Sequence, residues 1–356
     1  MVITNKRGSW LFMSSKSQRK GSVDRCFRKS LAYRFIGLLV CVFLYSGPFV
    51  GESLSADYPT RPVRLIVGFV PGGVADLLAR GLGQALSQQW SQPVIIDNRS
   101  GGGGLIGMQL AAKSQADGYT LLMGSSTQFS ITPALSHAAD HDPSVHFQPV
   151  SQVALTPVIL TVSSATPVRS LSDLIQWSRQ SATSLSYGST GYGGAPHIAA
   201  EWLKNRSGVS FTHVPFKGGG DSMLSLMGGH VQFAVGAVST ALPQLKEGRI
   251  RALGVTTSQR MKALPQVPTF IEQGFSGFDV EQWYGVFAPI GLPQERLKSI
   301  QDAMRKVLTT NDLVDKFNAQ GVQLMASSPE IFSRYVKSEL VRWTAILKML
   351  QINEAP

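Results

Sequence analysis

Residues 63–80, VRLIVGFVPGGVADLLAR, dictate more of this chain's architecture than any other stretch. Val63, Leu65, Ile66, Val67 and Phe69 form an apolar run of strand length, and Pro71-Gly72-Gly73 ends it. Leu78, Leu82 and Leu86 then recur every four residues beside Ala75, Ala79 and Ala85, the single apolar stripe of a helix packed on a sheet. A sharp strand-to-helix turn suits Pro and Gly, because Gly has no β-carbon to clash where φ is positive. The free N–H groups of the helix's first turn then face the end of the sheet, where a carboxylate can be held without a cationic side chain. An ordinary βα connection has the same sequence, so this stretch alone does not establish a site.

The strand-then-helix pattern continues. Residues 93–97 read as a strand followed by the glycine run 101–104 and a helix over about 105–113. Residues 119–124 read as a strand ending in Ser125-Ser126-Thr127. Residues 150–162 are β-rich with a break expected at Pro157, and 170–180 are helical with Ser170 as N-cap. A strand over 185–188 runs into Ser189-Thr190-Gly191-Tyr192-Gly193-Gly194 and a helix over 196–205. Further strands are expected at 211–214, 231–235, 252–256 and 283–288, with a turn at 217–220 and helices at 221–227, 294–308 and 329–348. Repeated βα units at this spacing imply an α/β chain with parallel sheets flanked by helices, and 356 residues suffice for about two domains.

The net charge of +11 suggests a nucleic-acid partner until its distribution is read. Residues 1–56 hold nine Lys/Arg against Asp24 and Glu52, or +7, and the remainder holds 24 Lys/Arg against 20 Asp/Glu, or +4. No basic block with interleaved aromatics follows the leader, which argues against nucleic-acid binding. In that leader a basic run to Arg34 precedes eleven apolar residues, 35–45, then Ser46-Gly47-Pro48 and the small residues 53–56. This is the layout of a cleaved signal peptide and places the mature chain in the periplasm. An apolar core of eleven is short of the roughly 20 residues of a spanning helix, although an uncleaved anchor reaching Val50 is an alternative. Met13 is a candidate start, and Val40 before Cys41 is too bulky for a lipoprotein site. Both cysteines, Cys26 and Cys41, fall in the leader, so the mature chain has neither disulfide nor Cys-based metal site.

Gly72-Gly73, Ser125-Ser126-Thr127 and the run 189–194 share one chemistry. Each puts glycine or hydroxyl residues where a strand hands over to a helix, and ligands of open α/β sheets collect at such strand ends. Converging, they would cradle an anion with backbone N–H and Ser/Thr hydroxyl groups. Each helix terminus adds about 0.3–1 kcal/mol toward a negative charge.

The segments FVPGGVADLLAR, DNRSGGGGLIG, ADGYTLLMGSS, YGSTGYGGAPHIAAE, HVPFKGGGDSMLSLMGGHVQF, GRIRALGVTTSQRMKALPQVPTFIEQG and FAPIGLP resemble the Bug family, extracytoplasmic solute receptors of tripartite tricarboxylate transporters. The resemblance runs from about Tyr58 to the last helix. It implies a type 2 periplasmic-binding-protein fold, two α/β lobes closing on a small carboxylic acid. The first lobe would comprise 57–156 plus 283–356 and the second 157–282, with crossings near 156–158 and 282–283. It implies ligand contacts at Val70, Pro71, Gly72, Gly73 and the helix-start acid Asp76, at Ser125, Ser126 and Thr127, and at Ser189, Thr190, Gly191, Gly193, Gly194 and His197. It also implies a monomer without cofactor or catalysis, presenting its ligand to membrane subunits of a transporter or to a sensor kinase.

One departure bears on the ligand. Members often carry an Asp-Asn pair where this chain has Gly236 and Ala237, followed by Ser239 and Thr240. The gap suggests a ligand whose distal part is bulkier or less polar than a C4 dicarboxylate, unless a neighbouring loop fills the space. Other constellations point elsewhere and are set aside. Residues 102–107 satisfy G-x-G-x-x-G, but the following strand ends Met123-Gly124-Ser125, without the acid a dinucleotide ribose needs, against an NAD-dependent oxidoreductase. His137, Asp140, His141 and His146 share a loop without metal-ligand spacing and read as polar side chains facing solvent. His197 reads as a packing or loop-orienting histidine, Lys217 as a surface lysine, and Trp283 and Tyr284 as either cleft cover or core. No G-x-S-x-G elbow occurs.

Overall fold

A computed structural model of the chain describes residues 58–136 and 142–352. The signal peptide expected over 1–56, Cys26, Cys41, and His137, Asp140 and His141 of the histidine loop lie outside the described residues.

The opening stretch folds as its periodicity dictates. Val63–Val67 (β1) pairs in parallel with Val94–Asn98 (β2) on one side and Thr120–Ser125 (β3) on the other. Val74–Trp90 (α1) and Leu105–Ala112 (α2) connect them. Leu78, Leu82 and Leu86 of α1 are buried against Val63, Leu65 and Val67. A wide turn at Thr127–Ile131 and the short helix Thr132–Ser136 (α3) follow β3.

Phe147–Ser163 (β4) is one unbroken strand, contrary to the break expected at Pro157. From Phe147 to Pro157 it pairs antiparallel with Glu281–Pro289 (β9). From Val158 onward it lies between Phe233–Ala237 (β7) and Ile250–Val255 (β8), again antiparallel. Pro157, opposite Glu281, is the last residue of β4 paired with β9, so it sits where the strand changes partners and a missing N–H is best tolerated. Just beyond, the Val158 N–H donates to Thr256 Oγ1 at 3.2 Å.

Leu185–Ser189 (β5) runs parallel to β7 and to Phe211–Pro215 (β6), and Leu171–Gln180 (α4), Ala195–Ser207 (α5), Gly219–Met227 (α6) and Val238–Lys246 (α7) complete this half. The strands are therefore parallel at both ends of the order β2-β1-β3-β9-β4-β7-β5-β6 and antiparallel in the middle, where the all-parallel expectation fails. The cause is that β4 runs through both halves, with β9 antiparallel between it and β3, rather than closing a βα unit. Helix α7 was not expected either. Val238, Ala241 and Leu242 are buried at helical spacing and hold it in place, with Pro243 inside it.

Gln294–Leu308 (α8), Asn311–Asn318 (α9), the short strand Gln323–Leu324 (β10) and Pro329–Leu350 (α10) close the chain. Helix α10 straps the halves together. Its Phe332 packs with Trp283 and Phe287 in one core cluster, while Trp343, Ile346 and Leu347 pack with Val158 and Leu160 in another. Among the described residues no helix is long and apolar enough to cross a membrane.

Candidate functional site

A cleft of about 600 Å³ opens where the two halves of the sheet meet. Phe69, Val70, Gly73, Val74 and Ala75 line it from the β1–α1 turn, Gly101 to Gly104 from the glycine run, and Ser125 and Thr127 from the end of β3. Facing them are Thr190, Gly191, Tyr192 and Gly194 after β5, Phe216 to Gly219 after β6, and Ala237 and Thr240 at the end of β7. Gln282 and Tyr284 of β9 line it as well. No Asp or Glu is among these residues, and Lys217 is their only cation.

Helix starts supply the electrostatics. α1, α2, α5, α6 and α7 begin at Gly73, Gly104, Gly194, Gly218 and Ala237, all cleft residues, and none of these has a side-chain capping bond. At α2 the first-turn N–H groups of Leu105 and Ile106 are taken up by the Gly102 and Gly101 carbonyls. The starts of α1, α5, α6 and α7, by contrast, bring positive dipole ends and first-turn N–H groups without an internal acceptor to one cleft. Such an array binds anions by neutral donors.

Residues beneath the cleft set the shape of these loops. Asp76 accepts from the Gly72 N–H at 3.0 Å and from Arg80 Nε at 2.8 Å through Oδ2, and from Asn98 Nδ2 at 3.0 Å through Oδ1. Burial pushes its carboxyl up, but the hydrogen bonds from Arg80, Gly72 and Asn98 outweigh this and hold it below the usual carboxylate range. Asp76 therefore clamps the 70–73 turn and does not line the cleft. Across the cleft, Ser189 Oγ lies 2.7 Å from His213 Nε2, and the Gly193 N–H donates to His197 Nδ1 at 3.3 Å. The two imidazoles stack at 4.3 Å, with Tyr192 over His197 and Tyr187 against His213. Burial, with smaller help from His213 and Lys204, drives the His197 pKa down to about 3, and burial drives His213 down to about 4 despite Glu201. Both rings are neutral near pH 7, so His197 shapes the loop and contributes no charge.

Of the residues expected at the site, Val70, Gly73, Ser125, Thr127, Thr190, Gly191, Gly194 and Ala237 line the cleft. Pro71 and Gly72 lie at the exposed tip of the turn, while Ser126, Ser189, Gly193 and His197 are buried behind the surface. Gly236 faces away from the cleft: a β-carbon built there would stand 3.6 Å from Met223 Cε. Only Ala237 of that pair faces the ligand space.

Lys217, read as a surface side chain, lies at the cleft rim, and α6 starts beside it at Gly219 rather than at Asp221. Tyr284 both packs and lines the cleft, whereas Trp283 is wholly core. The glycine run belongs to the cleft too. A β-carbon on Gly107 would meet Gly68 Cα at 2.8 Å, and one on Gly68 would meet the Gly104 carbonyl at 2.7 Å. Its glycines thus allow close packing on the end of β1, where Gln128 Nε2 ties Gly104 down at 3.0 Å. His213 was missed because a lone histidine in a strand carries no pattern; its distance from Ser189 is set by the parallel register of β5 and β6. Among the described residues no group of His, Cys, Asp and Glu could hold a metal ion.

Comparison with known proteins agrees with this geometry. Residues 78–352 match the tripartite tricarboxylate transporter family receptor. The protein BugT of Bordetella pertussis (strain Tohama I) is 31% identical over 305 residues, covering 84% of this chain and 92% of that protein. An R. palustris structure with adipate is 35% identical, covers 83% of this chain and 99% of its own, and superposes with a TM-score of 0.80. MatC from Rhodopseudomonas palustris with bound malate is 28% identical, covers 82% and 100%, and has a TM-score of 0.76. The periplasmic binding protein BugD, 27% identical over 84% of this chain and 100% of its own, superposes with a TM-score of 0.78, so the architecture is the periplasmic-binding-protein fold.

Proposed function

This chain belongs to the tripartite tricarboxylate transporter receptor family, and from that premise we propose that it is a periplasmic receptor that captures an organic carboxylate without chemical turnover. The observation that carries the reading is the convergence of the uncapped starts of α1, α5, α6 and α7 on one cleft whose lining has no acidic side chain. Adipate and malate in similar proteins support a carboxylate as the ligand class.

Residues 57–156 with 283–356 act as one lobe and 157–282 as the other, hinged where β4 changes partners. Contacts that bridge Gly73 and Thr127 on one side to Thr190 and Gly194 on the other exist only when the lobes are closed, so ligand shifts the population toward closure. A micromolar site needs about 8 kcal/mol in total, within reach of several neutral donors and buried apolar contacts. The closed monomer is then recognised by the membrane subunits of the transporter.

Ala237 in place of a polar side chain, with Phe69, Phe216 and Tyr192 on the walls, favours a ligand bulkier than a C4 diacid. Mass spectrometry of the acid that co-purifies with the secreted protein, followed by a thermal-shift panel, tests the assignment. The expected result is a carboxylate with a bulky distal part. Succinate or citrate outperforming aromatic and branched acids would overturn the size argument, and nicotinamide nucleotide binding with turnover would overturn the receptor reading.

A further inference from the structure

The carboxylate cradle leaves two buried polar groups without an assignment. Gln282 and Tyr284 stand two residues apart on β9, so their side chains share a face, and both residues line the cleft. They are 7% and 5% exposed. Thr156 Oγ1 donates to the main-chain carbonyl of Gln282 at 3.3 Å, a contact that does not involve the side-chain amide. Among the described residues neither that amide nor the Tyr284 hydroxyl has a protein partner. Burial raises the Tyr284 pKa, so the phenol stays a protonated donor at any physiological pH. Ser125 and Thr156 lie opposite Tyr284 and Gln282 in the sheet, which places this pair beside the hydroxyl-bearing end of β3.

An amide needs both a donor and an acceptor opposite it, and a protonated phenol needs an acceptor. Open, the cleft can meet these needs with water. Closed on a ligand, an unmatched amide carries the full desolvation cost of a buried polar group. A carboxylate or a ketone offers acceptors only. A hydroxyl offers both functions on one atom.

We propose that Gln282 and Tyr284 read a hydroxyl on the bound acid, so that the receptor selects hydroxycarboxylates over their deoxy analogues. This deepens the carboxylate reading above and rests on it. The uncapped helix starts hold the carboxylate, and the β9 pair supplies chemical discrimination that Gly236 and Ala237 do not.

The test is calorimetric titration of the protein with matched pairs: lactate against propionate, malate against succinate, and 3-phenyllactate against 3-phenylpropionate. The hydroxy member is expected to bind at least tenfold more tightly in each pair that binds. In Gln282→Leu and in Tyr284→Phe that preference should fall below threefold. Equal affinities within the pairs, or a preference that survives in both variants, would overturn the hydroxyl assignment while leaving the carboxylate receptor intact. Absence of binding by every acid, in a protein whose circular dichroism shows it folded, would overturn both.

Discussion

Helices α4 and α10 start differently from the five helices that open on the cleft, although all face the same backbone problem. At α4 the Asp173 N–H donates to Ser170 Oγ at 3.1 Å and the Ser170 N–H returns to Asp173 Oδ2 at 3.1 Å, a complete capping box. At α10 Ser328 Oγ accepts from the Ile331 N–H at 3.3 Å. At Gly73, Gly104, Gly194, Gly218 and Ala237 there is no side-chain acceptor. The outer helices α8 and α9 also lack a side-chain cap but carry Glu295 and Asp312 in the first turn, whereas α2, α5 and α7 have no acid there. Omitting the cap forgoes about 0.5–2 kcal/mol of fold stability at Ala237 and only a few tenths of a kcal/mol at each glycine. The donors that would have been satisfied internally are kept for a ligand.

Supplying the missing acceptor should break this contrast most strongly. Gly73 has an ordinary extended backbone, φ −79°, and a β-carbon there would make only an ordinary contact with the Val70 carbonyl at 3.5 Å, so Gly73→Asp can cap α1 from within the cleft. Carboxylate affinity should drop by about 100-fold or more through lost donors and like-charge repulsion, while the melting temperature rises. Calorimetry and thermal denaturation read the two effects, and retained affinity would detach α1 from the site.

Acid should act next, through the histidines under the 189–194 loop. Their folded pKa values, about 3 and about 4, lie below the ordinary 6.5, so between these limits the unfolded chain binds more protons than the folded one. The stability they contribute is fully present above pH 6.5 and falls away as pH drops toward 4. Urea melts across that range should show the loss, and a His197→Gln, His213→Gln double variant should flatten it.

A smaller change follows from the clamp beneath the other loop. Asp76→Ala removes the one carboxylate that the Gly72 N–H, Asn98 Nδ2 and Arg80 Nε share and should cost about 1–3 kcal/mol in urea denaturation. Smallest is Ser170→Ala, worth about 1 kcal/mol of stability with carboxylate affinity unchanged. An affinity loss there would mean that outer and cleft helix starts are not separate in function.

Local periodicity explains which parts of the molecule were legible in advance. β1, α1 and α4 were readable because strand alternation, a leucine repeat and a serine cap are short-range patterns. Half of the cleft was readable for the same reason, since Gly73, Ser125, Thr127 and Gly194 each end a recognisable strand or open a recognisable helix. Tyr284 was ambiguous because its place beside Ser125 is set by an antiparallel register joining positions 159 residues apart. Pro157 misled because a proline breaks a strand only where its N–H is needed, and that depends on partners the local sequence does not name. Helix α7 had no expectation at all, because its nine residues enclose Pro243 and only the burial of Val238, Ala241 and Leu242 marks its inner face.

The central claim is that neutral backbone donors from both sides of the cleft, rather than Lys217, hold the organic acid. Backbone amide NMR during titration with a bound carboxylate tests it most directly. The account predicts that the amide signals of Gly73, Val74 and Ala75 move together with those of Thr190, Gly191 and Gly194 along one saturation curve, and that Lys217→Met keeps the affinity within about tenfold. Signals that move on one side only, or binding that vanishes with the Lys217 charge, would contradict it.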